Sequence, residues 1–97
     1  MTVNIYNIFR DIKDFGFKNQ IQRSSVSIMN NIAERFERKG NKEFKYFLFI
    51  AKGSCAETRS MLHLSLQLNY VNKEKYNELN GLSIEISKLL SGLIKTL

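Results

Sequence analysis

The chain has 97 residues, 43% apolar, and carries 15 Lys+Arg against 9 Asp+Glu, a net charge of +6; that is one domain on one core and not a disordered chain. A single cysteine, Cys55, excludes an internal disulfide framework and a Cys-x-x-Cys zinc site, and a single histidine, His63, removes most His-based catalysis. The longest apolar run, Tyr46 to Ala51, is too short to span a bilayer, and Arg10 and Asp11 break up any signal-peptide core, so a cytoplasmic, membrane-free globular domain is expected.

The apolar spacing is helical throughout. Ile5, Ile8, Phe9 and Ile12 recur at helical intervals and predict a first helix over about 3–14, with Gly16 as its stop. A second helix is expected over about 18–39, ending at Gly40. Asn41 reads as the N-cap of a third over about 42–68, with Glu43 in its first turn. Residues 69–72 read as a turn. Asn72 caps a fourth helix over about 73–97, with Glu74 in its first turn. Short connections between four helices argue for an all-α, antiparallel up-down four-helix bundle filling residues 1–97 as a single domain, with a shortened first helix. So short a first helix covers only about half of the third, at 1.5 Å of rise per residue.

At about 100° per residue the third helix has two apolar faces. One carries Phe44, Phe47, Leu48, Ala51, Cys55, Thr58, Leu62 and Leu66; the other carries Tyr46, Ile50, Met61, Leu64 and Leu68. A surface helix has one apolar stripe, so the second face is expected to be an oligomer interface. The bland alternative is that the first and fourth helices wrap both faces within one chain. Between the faces runs a polar strip in which Lys45, Lys52 and Arg59 stand seven apart, beside His63, with no acid on it. Arg35, Arg38, Lys39 and Lys42 crowd the preceding turn. Residues 18–52 carry eight cations and three acids, so +5 of the net charge sits there. A solvated face explains three cations; the larger cluster attracts polyanions by counterion release.

On the second helix, Arg23, Ser27, Asn30, Glu34 and Arg38 lie on one side, opposite Ile21, Ser25, Ile28, Met29, Ile32 and Phe36. Arg23 is either a phosphate ligand or, more simply, an ion-pair partner of Glu34 or Glu57. Glu57, on the second apolar side of the third helix, needs a partner on burial. Arg23, Glu34 and Glu57 are therefore read as structural polar residues. The fourth helix packs a single stripe from Tyr76 to Leu97, Leu89 included, and reads as structural only. Gly53 and Ser54 mark a close helix approach.

No catalytic residues, cofactor or metal site are expected. The Glu-x-x-His signature of carboxylate di-metal bundles is missing, because Ser60 stands three before His63. Cys55 and His63 are about 80° apart on the wheel and cannot form a nucleophile–base pair within one helix. Lys52-Gly53-Ser54 has no glycine-rich loop before it and is not a phosphate-binding loop.

Gln20-Ile21-Gln22-Arg23, Ser25-Val26-Ser27-Ile28 and Asn31-Ile32-Ala33-Glu34 resemble the block QIRRAxxSIxxNIAEG of the bacterial four-helix-bundle proteins encoded by intervening sequences in large-subunit ribosomal RNA genes. Arg38-Lys39 and Lys42-Glu43-Phe44 resemble that family's RKSxKEF turn. Phe47-Leu48, Ile50-Ala51, Gly53-Ser54 and Glu57 resemble its FLxIAxGSxxE helix, and Tyr70 and Tyr76 its GYLxxxxY turn. The resemblance covers residues 17–97. This chain departs from it with Met29 where the family has Pro and Arg35 where it has Gly. The family's first helix also begins further upstream, with a Trp-containing stretch.

The resemblance implies an up-down bundle assembled as a ring-shaped homopentamer with a basic surface. The same fold serves accessory proteins of diversity-generating retroelements, which bind nucleic acid and a reverse transcriptase. The expected function is thus a non-catalytic, homo-oligomeric binder of RNA or DNA. Its phosphate contacts would be Arg35, Arg38, Lys39, Lys42, Lys45, Lys52 and Arg59. With no aromatic platform evident, sequence preference should be weak. The alternative is an accessory subunit that docks a reverse transcriptase or similar partner.

Overall fold

A computed structural model describes the backbone of residues 1–37 and 41–97 and the side chains of residues 1–34 and 45–97. Four helices follow in order: α1 (Thr2–Ile8), α2 (Phe15–Glu37), α3 (Asn41–Gln67) and α4 (Lys73–Lys95). No strand occurs among the described residues. α3 packs between α2 and α4, and α1 packs on α2.

Side-chain contacts fix the directions. Gln20 meets Glu57, Ser24 meets Thr58 and Ser27 meets Ser54, so α2 and α3 run antiparallel. Cys55 meets Ser83 and His63 meets Tyr76, so α3 and α4 do too. The Thr2 hydroxyl donates to the Ser25 carbonyl at 3.4 Å, while Phe9 stacks on Phe17, which sets α1 antiparallel to α2. The bundle is all-α and up-down, 43 × 21 × 17 Å, with a short first helix.

The core has two parts. One cluster joins Ile5, Phe9, Phe17, Ile21, Leu62, Val71 and Leu79 at the end that α1 covers. The other joins Leu48, Ala51, Leu90 and Ile94 towards the opposite end. Of the expected core face of α3, Leu48, Ala51, Cys55, Thr58 and Leu62 are fully buried, Phe47 and Leu66 are half-buried, and Phe44 lies outside the described side chains.

The first connection departs from the sequence reading. α1 ends at Ile8, and Gly16 lies inside the first turn of α2 instead of stopping the helix before it. Asp14 decides this. Its Oδ1 accepts the Phe17 N–H at 3.1 Å, which caps α2 and forces the chain to turn before residue 14. Its Oδ2 accepts the Tyr70 hydroxyl at 2.9 Å, tying the same turn to the α3–α4 loop. Asn41 is the first helical residue of α3, and its side chain lies outside the described residues.

The connection between α3 and α4 follows the sequence. Asn69 has φ 61°, a left-handed conformation that asparagine tolerates. The Tyr70 N–H bonds to the Ser65 carbonyl at 2.8 Å and the Asn69 N–H to the Leu66 carbonyl at 3.2 Å, closing α3 with a Schellman turn. Asn72 then caps α4, its side-chain oxygen accepting the Lys75 N–H at 2.8 Å.

Candidate functional site

The ridge on α3 is where the charge gathers among the described residues. Lys45 is exposed, and Lys52 and Arg59 are half-buried along their stems. None of the three forms an ion pair with a described residue. Arg35, Arg38, Lys39 and Lys42, which the sequence groups with them, lie outside the described side chains. His63, at the far end of the strip, puts Nδ1 3.2 Å from the Tyr76 hydroxyl and packs edge-on to that ring.

α4 contributes to the same place. Lys52 and Arg59 line a cleft of about 450 Å³ between α3 and α4, with Lys88, Lys95, Ser87 and Ser91 on its other wall. No acid lines it. The sequence reading gives α4 a packing role alone, whereas Lys88 and Lys95 also line this cleft. The available signal was spacing: Lys88 and Lys95 stand seven apart, as Lys52 and Arg59 do. Leu89, assigned to the packed stripe of α4, is 69% exposed. Nine apolar residues on one helix make an arc wider than the face that α3 can cover.

Beneath the cleft, Cys55 is fully buried and its thiol donates to the Ser83 carbonyl at 3.1 Å. Burial pushes the thiol pKa up, against a smaller opposing pull from the Arg59 charge. A buried, protonated thiol is inert packing, as the sequence suggests.

The polar residues of α2 arrange themselves differently from expectation. Glu57 is exposed, and it accepts from Gln20 Nε2 at 2.6 Å instead of pairing with Arg23. An exposed carboxylate needs no buried cation, so the expected ion pair has no driving force. Arg23 is exposed and lines a separate polar cleft with Asn19, Asn30 and Asn31. Glu34 is half-buried near the end of the described part of α2. Met29, placed by the sequence on the apolar side, is 53% exposed. The close approach of α2 and α3 is made by hydroxyls: Ser27 and Ser54 are 2.8 Å apart, and Thr58 Oγ1 is 2.8 Å from Ser24 Oγ. Gly53 takes no part in it, since a Cβ there would meet nothing within 4 Å.

Of the second apolar face of α3, Tyr46, Leu64 and Leu68 are exposed, and Ile50 is half-buried. Met61 is half-buried because it packs against the chain's own core cluster. Phe49, which the sequence reading left out, is also exposed beside them. No described helix is long and apolar enough to cross a membrane.

Comparison with known proteins places this architecture. Residues 1–92 match the family model of the 23S rRNA-intervening sequence protein. No curated protein matches the chain. Among solved structures, the chain is similar to a protein of unknown function from the S23 ribosomal protein family of Bacteroides thetaiotaomicron. The two share 36% identity and a TM-score of 0.90, over 97% of this chain and 88% of that one. A bundle of this topology, with a family match over residues 1–92, belongs to the 23S rRNA-intervening sequence protein family.

Proposed function

We propose that this protein is a non-catalytic, cytoplasmic, homo-oligomeric nucleic-acid-binding protein that uses a basic surface centred on α3. The observation that carries this is the ridge of Lys45, Lys52 and Arg59, which no described acid neutralises. Free cations on a rigid helix release counterions when phosphates replace the salt around them, and that release drives association. The flanking Arg35, Arg38, Lys39 and Lys42 extend the ridge in sequence. The apolar surface of Tyr46, Phe49, Leu64 and Leu68 supports self-association, in which the ridge repeats and weak sites add through effective concentration. The resemblance to ring-forming relatives supports a pentamer.

Filter binding to a structured RNA across a salt series tests this. Affinity should fall steeply with salt, and Lys42→Glu with Lys45→Glu should weaken it at least tenfold, since each reversal removes one phosphate contact and adds one repulsion. A flat salt response, or unchanged affinity in the double variant, overturns the reading. A protein-docking role, with a reverse transcriptase as the partner, draws on the same exposed apolar residues. It would appear as a pull-down that survives nuclease treatment.

A further inference from the structure

The cleft between α3 and α4 has a composition that neither helix shows alone. Its walls carry Lys52 and Arg59 from α3 and Lys88 and Lys95 from α4, with no acid among them. The Ser87 and Ser91 hydroxyls on the α4 wall have no hydrogen-bond partner among the described residues. Gly92 also lines the cleft, and a Cβ there would meet nothing within 4 Å. Glycine in a helix interior is unfavourable relative to alanine, and no contact within the chain calls for it at 92.

The register of the helices sets the spacing of the charges. Cys55 lies against Ser83. Because α4 runs antiparallel to α3, Lys88 therefore stands near the level of Lys52. Arg59 lies seven residues beyond that level on one side and Lys95 seven residues beyond it on the other, each about 10.5 Å of helix rise. The track is about 21 Å long.

We propose that the α3–α4 cleft seats the sugar-phosphate backbone of a single nucleic-acid strand. Lys52, Arg59, Lys88 and Lys95 hold phosphates, and the Ser87 and Ser91 hydroxyls donate to phosphate oxygens. This rests on the nucleic-acid reading above and extends its basic surface from α3 onto α4. No aromatic side chain lines the cleft, so the strand is held without base stacking and without sequence preference.

The test is fluorescence anisotropy of a labelled 20-nucleotide oligouridylate with the full chain, across a salt series. Four proteins are compared: wild type, Lys88→Gln with Lys95→Gln, Lys42→Glu with Lys45→Glu, and a control pair, Lys13→Gln with Lys73→Gln. The lysines of both glutamine pairs are exposed, so folding should survive, and circular dichroism melts check it. The cleft pair should lose about tenfold in affinity at 0.1 M salt and flatten the salt slope by about 1.4, two single-strand phosphate contacts, while the control pair stays within about twofold. Equal losses in both pairs mean that only net charge matters and overturn the proposal. Full binding by the cleft pair, with binding lost on Lys42→Glu and Lys45→Glu, removes the cleft but leaves the nucleic-acid reading standing. No salt-dependent binding by wild type removes both. Polyglutamate binding as tightly as the oligouridylate assigns the cleft to an acidic protein and also overturns it.

Discussion

Asp14 shows how much one side chain can organise. Its two oxygens receive the Phe17 N–H and the Tyr70 hydroxyl, so it joins the start of α2 to the α3–α4 loop. The backbone N–H first, and the phenol second, hold its carboxyl below the ordinary value of 3.8. In return, the carboxylate beside it raises the Tyr70 phenol above its ordinary value. A depressed carboxyl stabilises the fold fully above its unfolded value, and that contribution is lost as pH falls through the folded value. Asp14→Ala should therefore lower the urea midpoint at pH 7, and the gap to wild type should narrow on acidification below pH 3.8. A gap that stays constant from pH 7 down through that range would assign the effect to packing and not to the charge. The sequence reading runs the first helix through Asp14 and so misses its local cap on Phe17, and its second partner is 56 positions away. Asn72 was legible because its cap is purely local.

Helix packing shows the same divide between local and distant information. Periodicity identified the buried face of α3 correctly from Leu48 to Leu62, since burial follows the 3.6-residue repeat. It could not say that Lys88 and Lys95 would stand across from Lys52 and Arg59, because apposition depends on how far each helix is rotated and shifted. The α2–α3 seam is a further case. Ser24 and Thr58 are buried there although polar, and no buried side-chain N or O among the described residues lacks a partner. Thr58 Oγ1 has one proton and two acceptors in reach, Ser24 Oγ at 2.8 Å and the Ser54 carbonyl at 2.9 Å. Hydroxyls of this size let the helices approach where leucines would hold them apart. Thr58→Val keeps the volume and removes the hydroxyl. It should cost about 1 kcal/mol, the net worth of one such bond, read as a drop in urea midpoint with an unchanged m-value. No measurable drop would mean that Ser24 is fully satisfied by the Ile21 carbonyl, to which it also donates at 3.1 Å.

For the molecule as a whole, the question is what covers its apolar flanks. Tyr46, Phe49, Leu64 and Leu68 on α3 and Leu89 on α4 are exposed. A stable self-association needs about 800 Å² from each partner, and these side chains are apolar surface available to supply it. Sedimentation velocity should give a multiple of the 11.3 kDa chain mass at micromolar concentration. Tyr46→Glu with Leu64→Glu should return it to a single chain, because each buried carboxylate would lack a partner. Both residues are exposed, so the variant should keep its helix content, and a loss of mass without a loss of helix isolates the interface. A wild-type chain that sediments at 11.3 kDa across that range would leave these residues as ordinary surface and limit the proposed nucleic-acid binding to one ridge per molecule.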